Sequence, residues 1–208
     1  MSAQSARKDL NELLRHRAIW RAGARTAVAG SFLATGWSSL DTQLPGGGWP
    51  QGALTELLTD ASGSGEVSLL MPALAALSQR QHWIAWLNTP WIPFPPVLAA
   101  RGLDLKRVLT IRPESTAEIF WAAEQLLTAK ELGAVLLWTD QANERGLRRL
   151  QLAAEGTQSC VFVFRPAAHA QHSSPAALRL VVKATSKGSQ VDVLKCRGRR
   201  PSQSLSVA

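Results

Sequence analysis

Short apolar runs alternate with segments of helical periodicity through most of this chain, and the alternation limits the folds that it can adopt. Strands are predicted over residues 53–58, 83–87, 108–111, 134–138 and 161–164, and helices over residues 69–79, 95–101, 115–128 and 144–154. Apolar strands separated by helices are typical of right-handed βαβ units. The last two strands, residues 178–184 and 190–195, are predicted to pair as an antiparallel hairpin that turns at residues 187–189. The sequence therefore predicts an α/β fold with a mostly parallel central sheet flanked by helices and a C-terminal antiparallel hairpin.

The turn between the first of these strands and its helix has the layout of a phosphate-binding loop without the binding residues. Such a loop reads G-x-x-x-x-G-K-[ST], in which backbone N–H groups and the lysine bind phosphate and the hydroxyl holds Mg²⁺. Gly65 stands at the second glycine, but Asp60, Glu66 and Val67 replace the first glycine, the lysine and the hydroxyl residue. Each like charge in contact with a polyanion costs about 1–4 kcal/mol. Gly63 and Gly65 are therefore predicted to form a tight turn in a degenerate nucleotide site.

Two further positions lack what nucleotide hydrolysis needs. The strand at residues 83–87 is followed by Asn88-Thr89-Pro90, which offers no carboxylate to polarise an attacking water. The strand at residues 134–138 leads to Asp140, which we interpret as a turn former or helix N-cap, because no loop hydroxyl exists to share Mg²⁺. We therefore expect no catalytic residue, no metal, no cofactor and no enzymatic activity.

Specific strings along the chain carry a family resemblance. They are LPGGGWP at residues 44–50, GALTEL at residues 52–57, LRRLQLAAE at residues 147–155 and KCRGR at residues 195–199. The first two resemble the entry to the ATPase core of RecA-type recombinases. Together the strings are most similar to the ImuA family, RecA-like accessory proteins of bacterial mutasomes, over roughly residues 20–200.

This resemblance implies a RecA-like core and a role in SOS-induced translesion DNA synthesis. The implied partners are RecA, the polymerase-like ImuB and an error-prone replicative-type DNA polymerase. Combined with the degenerate loop, it implies an adaptor that makes and breaks no bond. Two alternatives stay open: a SulA-like inhibitor of cell division that acts on FtsZ, and an ATPase in which a Lys or Arg from elsewhere replaces the missing loop lysine. The GGGWP string and the basic C-terminal tail favour ImuA over SulA.

Positive charge is concentrated at the two ends of the chain. Residues 1–25 hold six Lys and Arg against two acidic residues, residues 179–208 hold seven against one, and the rest holds ten against twelve. Basic ends favour contact with a polyanion, which the resemblance implies to be DNA, bound without sequence preference and in a salt-sensitive way. A solvated tail, or a docking peptide for an acidic protein, is an equal alternative.

The predicted organisation has three parts. Residues 1–34 form a basic amphipathic N-terminal helix and linker, residues 35–184 the RecA-like core, and residues 185–208 a C-terminal strand and basic tail. The amphipathic helix is expected over residues 5–20, with the linker at residues 22–32. No apolar stretch is long enough to span a membrane and no signal peptide is recognised, so a cytoplasmic protein is expected.

Aromatic and basic residues supply the candidate contacts with a partner or DNA. Trp91 and Phe94 lie in the rigid segment TPWIPFPP, which either binds a protein or folds over the vacant nucleotide site. Trp49 follows three glycines and either plugs a gap or meets a partner, whereas Trp83, Trp86, Trp121 and Trp138 are expected in the core. The basic candidates are Arg148, Arg149, Lys195, Arg197, Arg199 and Arg200.

Histidine and cysteine residues indicate neither a metal site nor a disulfide framework. His169 and His172 have the spacing of a ligand pair, but no nearby thiol or carboxylate joins them. They lie in a small, polar loop at residues 166–174, for which disorder is predicted. Cys160 falls in an apolar run and is expected to be buried.

Overall fold

The computed structural model of the protein describes residues 30–60, 63, 65–186, 188–197 and 204–207. The predicted N-terminal helix, the turn residue Lys187 and the candidate contacts Arg199 and Arg200 lie outside these residues. No helix in the described part is long and apolar enough to cross a bilayer.

Strands and helices alternate as the apolar pattern predicts. The helices are α1 (Ser38–Gln43), α2 (Glu66–Gln79), α3 (Pro95–Ala100), α4 (Thr116–Leu126) and α5 (Glu144–Ala154). The strands are β1 (Phe32–Leu33), β2 (Trp49–Pro50), β3 (Ala53–Thr59), β4 (Trp83–Leu87), β5 (Val108–Ile111), β6 (Leu132–Trp138), β7 (Cys160–Pro166), β8 (Leu178–Thr185), β9 (Gly188–Cys196) and β10 (Leu205–Val207). A 3-10 turn, Ala167–Gln171, joins β7 to the segment that leads into β8.

The central sheet has eight strands in the order β10-β9-β8-β3-β7-β6-β4-β5. Neighbouring strands from β8 to β5 are parallel, while β8, β9 and β10 pair in antiparallel fashion. β1 and β2 form a separate two-stranded antiparallel ribbon. This topology confirms the predicted α/β class, the mostly parallel sheet and the C-terminal antiparallel hairpin.

Alternate residues of the parallel strands face opposite sides and build one apolar layer on each side of the sheet. Leu57 of β3 and Phe162 of β7 belong to the layer that includes α2, whereas Leu54 and Val161 belong to the layer that includes α4 and α5. Two-sided burial explains why these strands read as nearly continuous apolar runs.

Capping residues set the start of two helices. The Ser115 hydroxyl accepts a hydrogen bond from the Glu118 N–H at 3.3 Å, as the sequence predicts for α4. The Asn143 side chain accepts one from the Gly146 N–H at 2.8 Å and caps α5. Asp140 is therefore not the helix cap, so the N-cap alternative is wrong and the turn-former alternative stays open.

The structure corrects three further expectations. Trp49 is completely buried and meets Phe162 edge to face at 5.4 Å, so it plugs a gap and is not a partner contact. Trp121, expected in the core, is 61% exposed on α4. The loop at residues 166–174, for which disorder was expected, contains a 3-10 turn held by Arg179, as described below.

The predicted boundaries also differ from the strand pairing. Phe32, placed in a linker, belongs to β1 and pairs with Pro50 of β2. β9 lies beyond residue 185, yet it is hydrogen-bonded to β8 along its length in the central sheet. The sheet is therefore shared by the predicted core and the predicted C-terminal part.

Candidate functional site

A cleft of about 400 Å³ opens at the carboxyl ends of β3, β4, β6 and β7. This is the edge at which open α/β sheets place their ligands. Its walls include Asp60 after β3, Asn88 and Thr89 after β4, Asp140 after β6 and Arg165 of β7. The fold thus brings the predicted residues Asp60 and Asp140 into one cavity, from two strands that flank β7.

The glycine-rich turn between β3 and α2 is occupied by the chain's own carboxylate. Gly63 and Gly65 have φ values of 87° and 88°, in the left-handed region that glycine adopts without strain. Glu66, the first residue of α2, is buried, and its Oε1 accepts a hydrogen bond from the Gly63 N–H at 2.8 Å. Its Oε2 has no hydrogen-bond partner among the described residues. An acidic group is favourable at a helix N-terminus. Here the Glu66 carboxylate is hydrogen-bonded to the Gly63 N–H, a backbone group that would otherwise be available to a phosphate.

The predicted degenerate nucleotide site is divided in the structure. Asp60 and Asp140 line the cleft, whereas Gly63 and Gly65 line a second cavity of about 370 Å³ with Arg101 and Ser189. Val67 packs against the apolar layer on the α2 side. Positions 66 and 67 therefore offer a nucleotide neither the lysine nor the hydroxyl of a phosphate-binding loop.

Asn88 occupies the position after β4 at which nucleotide hydrolysis would need a carboxylate. Its φ of 55° is a left-handed conformation that asparagine tolerates better than most residues. Its Nδ2 donates to the Trp138 carbonyl at 2.9 Å, and its backbone N–H donates to the Ile111 carbonyl at 3.0 Å. Asn88 thus ties the ends of three strands together, and the Trp138 ring beneath stacks on Phe164 at 4.3 Å.

A buried charged cluster supports one wall of the cleft. The Glu56 carboxylate is completely buried and accepts from Arg165 Nη1 at 2.8 Å and from Arg179 Nε at 2.5 Å. Both arginines are also buried. Arg179 donates further to the carbonyls of His169 and His172, at 2.8 and 2.9 Å, which fixes the 3-10 turn. Pairing of this kind is required before charges are buried.

This buried charged cluster was not predicted from the sequence. A signal for it was present, because Glu56, Arg165 and Arg179 each interrupt an otherwise apolar strand. Charged residues in such positions are rarely buried unless they are paired. The identity of the partners could not be inferred, since it depends on which strands become neighbours in the sheet.

His169 and His172 lie beside the buried charged cluster and close to each other. Their Nδ1 atoms lie 3.2 Å apart, and Arg165 Nη2 lies 3.0 Å from Nδ1 of His169. Because a guanidinium only donates, Nδ1 of His169 accepts and its Nε2 carries the proton toward the Asp140 carbonyl, at 3.1 Å. Burial, followed by the Arg165 charge, lowers the pKa of His169.

Exposed apolar side chains lie next to the cleft. Trp91 is 68% exposed, Ile92 78%, Phe94 65% and Val97 51%. We call these four side chains, on the segment after β4 and the start of α3, the aromatic rim. Trp91 and Phe94 are therefore not buried over the nucleotide site, and their contact with a partner stays a prediction. The Trp91 Nε1 lies 4.0 Å from the place that a Cβ on Gly63 would take, so the rim adjoins the glycine-rich turn.

The basic candidates Arg148, Arg149 and Lys195 lie on two different elements, α5 and β9. Arg148 and Arg149 are exposed on α5, and Arg149 pairs with Glu124 of α4 at 2.7 Å. Lys195 lies at the end of β9 and donates to the Ser174 carbonyl at 2.7 Å. Burial, together with the charges of Arg179 and Arg197, lowers the pKa of Lys195.

A parallel sheet with a glycine-rich strand-to-helix turn at its carboxyl edge, beside an open cleft, places the chain among the α/β proteins with an open, mostly parallel sheet. Comparison with known proteins finds similarity to SulA and to RecA. The chain is 28% identical to the cell division inhibitor SulA of Edwardsiella piscicida over 98 residues, or 47% of this chain and 58% of SulA. It is 30% identical to SulA of Klebsiella aerogenes over 99 residues, or 47% of this chain and 59% of that protein.

Similarity to RecA extends over more of the chain. RecA of Synechocystis sp. is 28% identical over 120 residues, which are 58% of this chain and 33% of RecA. RecA of Lactobacillus delbrueckii subsp. bulgaricus is 23% identical over 134 residues, or 64% of this chain and 40% of RecA. The matches span less than two thirds of these relatives. No protein-family model matches the chain.

Proposed function

We propose that this chain is a non-catalytic, RecA-like adaptor in SOS-induced translesion DNA synthesis. In this proposal it joins RecA to an ImuB-like protein and an error-prone DNA polymerase, and the exposed carboxyl edge of the sheet carries a protein contact. The single observation that carries the proposal is the glycine-rich turn, in which Glu66 stands in place of the lysine and holds the Gly63 N–H. A RecA-like chain with this turn has the fold of a recombinase core without its phosphate-binding groups.

The aromatic rim supports the adaptor role. Monomeric proteins rarely expose several large apolar side chains side by side unless the patch binds something. Trp91 and Phe94 are the residue types that most often dominate protein interfaces. The prolines at positions 90, 93, 95 and 96 restrict the backbone of this segment, so little conformational entropy is lost when a partner binds.

Affinity purification from DNA-damaged cells tests the adaptor proposal. The tagged full chain is compared with a variant carrying Trp91→Ala and Phe94→Ala, and with Trp121→Ala, which removes an exposed tryptophan from another surface. Recovery of RecA and the polymerase proteins by the wild type and by Trp121→Ala, with loss in the rim variant, is the expected result. Recovery of none of these proteins by the wild type would overturn the proposal.

Nucleotide titration tests the absence of ATP binding. The indole of Trp91 lies beside the glycine-rich turn, so its fluorescence should respond to a nucleotide that enters there. We expect no saturable change with ATP and Mg²⁺. A saturable change in the wild type that is lost in Trp91→Phe would favour the alternative of an ATPase with an unorthodox site.

A second candidate function is inhibition of cell division. The observation that favours it is the similarity to SulA, which covers 58–59% of those proteins, against 31–40% of the RecA proteins. The same purification separates the two candidates. FtsZ without RecA or polymerase among the recovered proteins, together with filamentous growth when the chain is overproduced, would support division arrest.

A further inference from the structure

The cleft and the aromatic rim are adjacent but differ in chemistry. The rim presents four exposed apolar side chains, and the cleft beside it presents the carboxylates of Asp60 and Asp140. We propose that the two form one docking surface for a partner segment that is apolar and carries a lysine or arginine, whose cationic group enters the cleft between the two carboxylates. This inference rests on the proposed adaptor function and specifies the chemistry of the partner.

The carboxylates in the cleft are free to meet a cation. Both Asp60 and Asp140 are exposed, and neither side chain is hydrogen-bonded or ion-paired within the described residues. Arg165, which also lines the cleft, shares the single carboxylate of Glu56 with Arg179, so this buried cluster has a formal charge of +1 against the two carboxylates of the cleft. The cleft is therefore an acidic feature on a chain whose formal net charge is +8. Charge complementarity of this kind selects partners and speeds their encounter.

Other occupants fit the cleft less well. A phosphate or an acidic side chain would meet two carboxylates and the buried Glu66 nearby, which disfavour an anion. No group of three or more metal-binding side chains occurs among the described residues, so a dehydrated metal ion would lack ligands. A cationic side chain needs no such ligand set, because it keeps part of its hydration and its own donors.

The rim supplies the apolar half of the surface. Trp91, Ile92, Phe94 and Val97 fall within one short stretch, whereas the other large exposed apolar side chains in the described part of the chain lie on separate elements. Apolar anchors surrounding a charge pair exclude water from it and strengthen the pair. The two halves are therefore expected to act together.

Selection of random peptides displayed on phage, with the purified full chain as target, tests the inference without a known partner. We expect the wild type to enrich peptides in which lysine or arginine is flanked by apolar residues. These peptides should bind Asp60→Asn/Asp140→Asn and Trp91→Ala/Phe94→Ala at least about tenfold more weakly. Glu131→Gln, which neutralises an exposed carboxylate at the opposite edge of the sheet, is the matched control and should bind like the wild type.

The salt dependence of binding separates the two halves. Loss of the aspartates should flatten the dependence of peptide affinity on salt, whereas loss of the rim aromatics should weaken binding and leave that dependence unchanged. Enrichment of neutral or acidic peptides, equal binding to the double asparagine variant, or no enrichment at all would overturn the inference. The proposed function fails on a different result, the absence of RecA and polymerase proteins from the purification, so the two are judged separately.

Discussion

Replacing Glu56 by alanine is expected to destabilise the fold by about 3–5 kcal/mol, because it removes one partner of a buried ion pair and leaves the other uncompensated. The Glu56 carboxylate is bonded to Arg165 at 2.8 Å and to Arg179 at 2.5 Å, and none of the three side chains has appreciable contact with solvent. Two guanidinium groups would lose their shared counter-charge. The loss is a large part of the roughly 5–15 kcal/mol that stabilises a typical domain.

Urea unfolding followed by tryptophan fluorescence measures this loss. For a chain of this size, with an m-value of about 2–3 kcal/mol per molar urea, the midpoint should fall by about 1–2.5 M. Circular dichroism of the variant in the absence of urea checks that it still folds.

The matched control is Glu124→Ala. Glu124 also pairs with an arginine, Arg149, at 2.7 Å, but the arginine side chain is 59% exposed. Ion pairs on the surface contribute about 0–1 kcal/mol, so the control should shift the midpoint little. We expect burial of the ion pair, and not the ion pair as such, to determine how much stability is lost. This expectation would be refuted if Glu56→Ala lowered the urea midpoint no more than Glu124→Ala does.

Three further predictions concern single side chains. Trp49→Ala should leave a cavity and lower the free energy of unfolding, measured by urea unfolding, by about 3–5 kcal/mol. Trp121→Ala, on the surface, should lower the free energy of unfolding by no more than about 0.5 kcal/mol in the same assay. Burial raises the pKa of the Cys160 thiol to about 12, so the thiol should be unreactive in the folded protein. In a Cys196→Ser variant, iodoacetamide should label Cys160 only after denaturation. Rapid labelling of the native protein, detected by mass spectrometry, would contradict the burial of Cys160. The lowered pKa of His169 favours the neutral imidazole in the folded state. The stabilisation from neutral His169 is therefore complete above the ordinary histidine pKa of about 6.5, and it is lost as the pH falls through the lowered pKa of the folded state. The wild type should therefore lose more stability than His169→Gln between about pH 7 and pH 5, and parallel urea midpoints for the two proteins would be inconsistent with this.

The regular elements of the central sheet could be predicted because the information is local. The apolar run at residues 83–87 matches β4, and Ser115 caps the start of α4 in the structure. Parallel strands buried on both faces give continuous apolar runs, and helices between them give a different period, so neither pattern depends on distant residues.

Short elements and burial were not predictable in the same way. β1 and β2 have two residues each, and their pairing depends on a fold that already places Phe32 beside Pro50. Trp49 and Trp121 show the same limit for side chains, since one is buried by Phe162 and the other faces solvent, although neither has a distinctive local sequence.

The candidate site was predicted in part. The missing loop lysine and the position of Asp60 and Asp140 at strand ends were visible in the sequence, and the structure places both aspartates in one cleft. The partner of Glu56 was not visible, because Arg165 lies 109 residues away along the chain. Single-sequence patterns carry no information about contacts at such separations.

The position of β3 at the centre of the sheet has a consequence for how the protein is made. β3 is hydrogen-bonded to β7 on one side and β8 on the other, and both strands are synthesised long after it. At translation rates of roughly 5–20 residues per second, the 109 residues between Glu56 and Arg165 correspond to a delay of about 5–20 s. Throughout that interval the emerging chain carries an apolar strand with both edges open. A nascent chain that stalls before β8 is complete cannot close the middle of its own sheet, so interrupted synthesis is expected to yield aggregation-prone fragments rather than a partly working core.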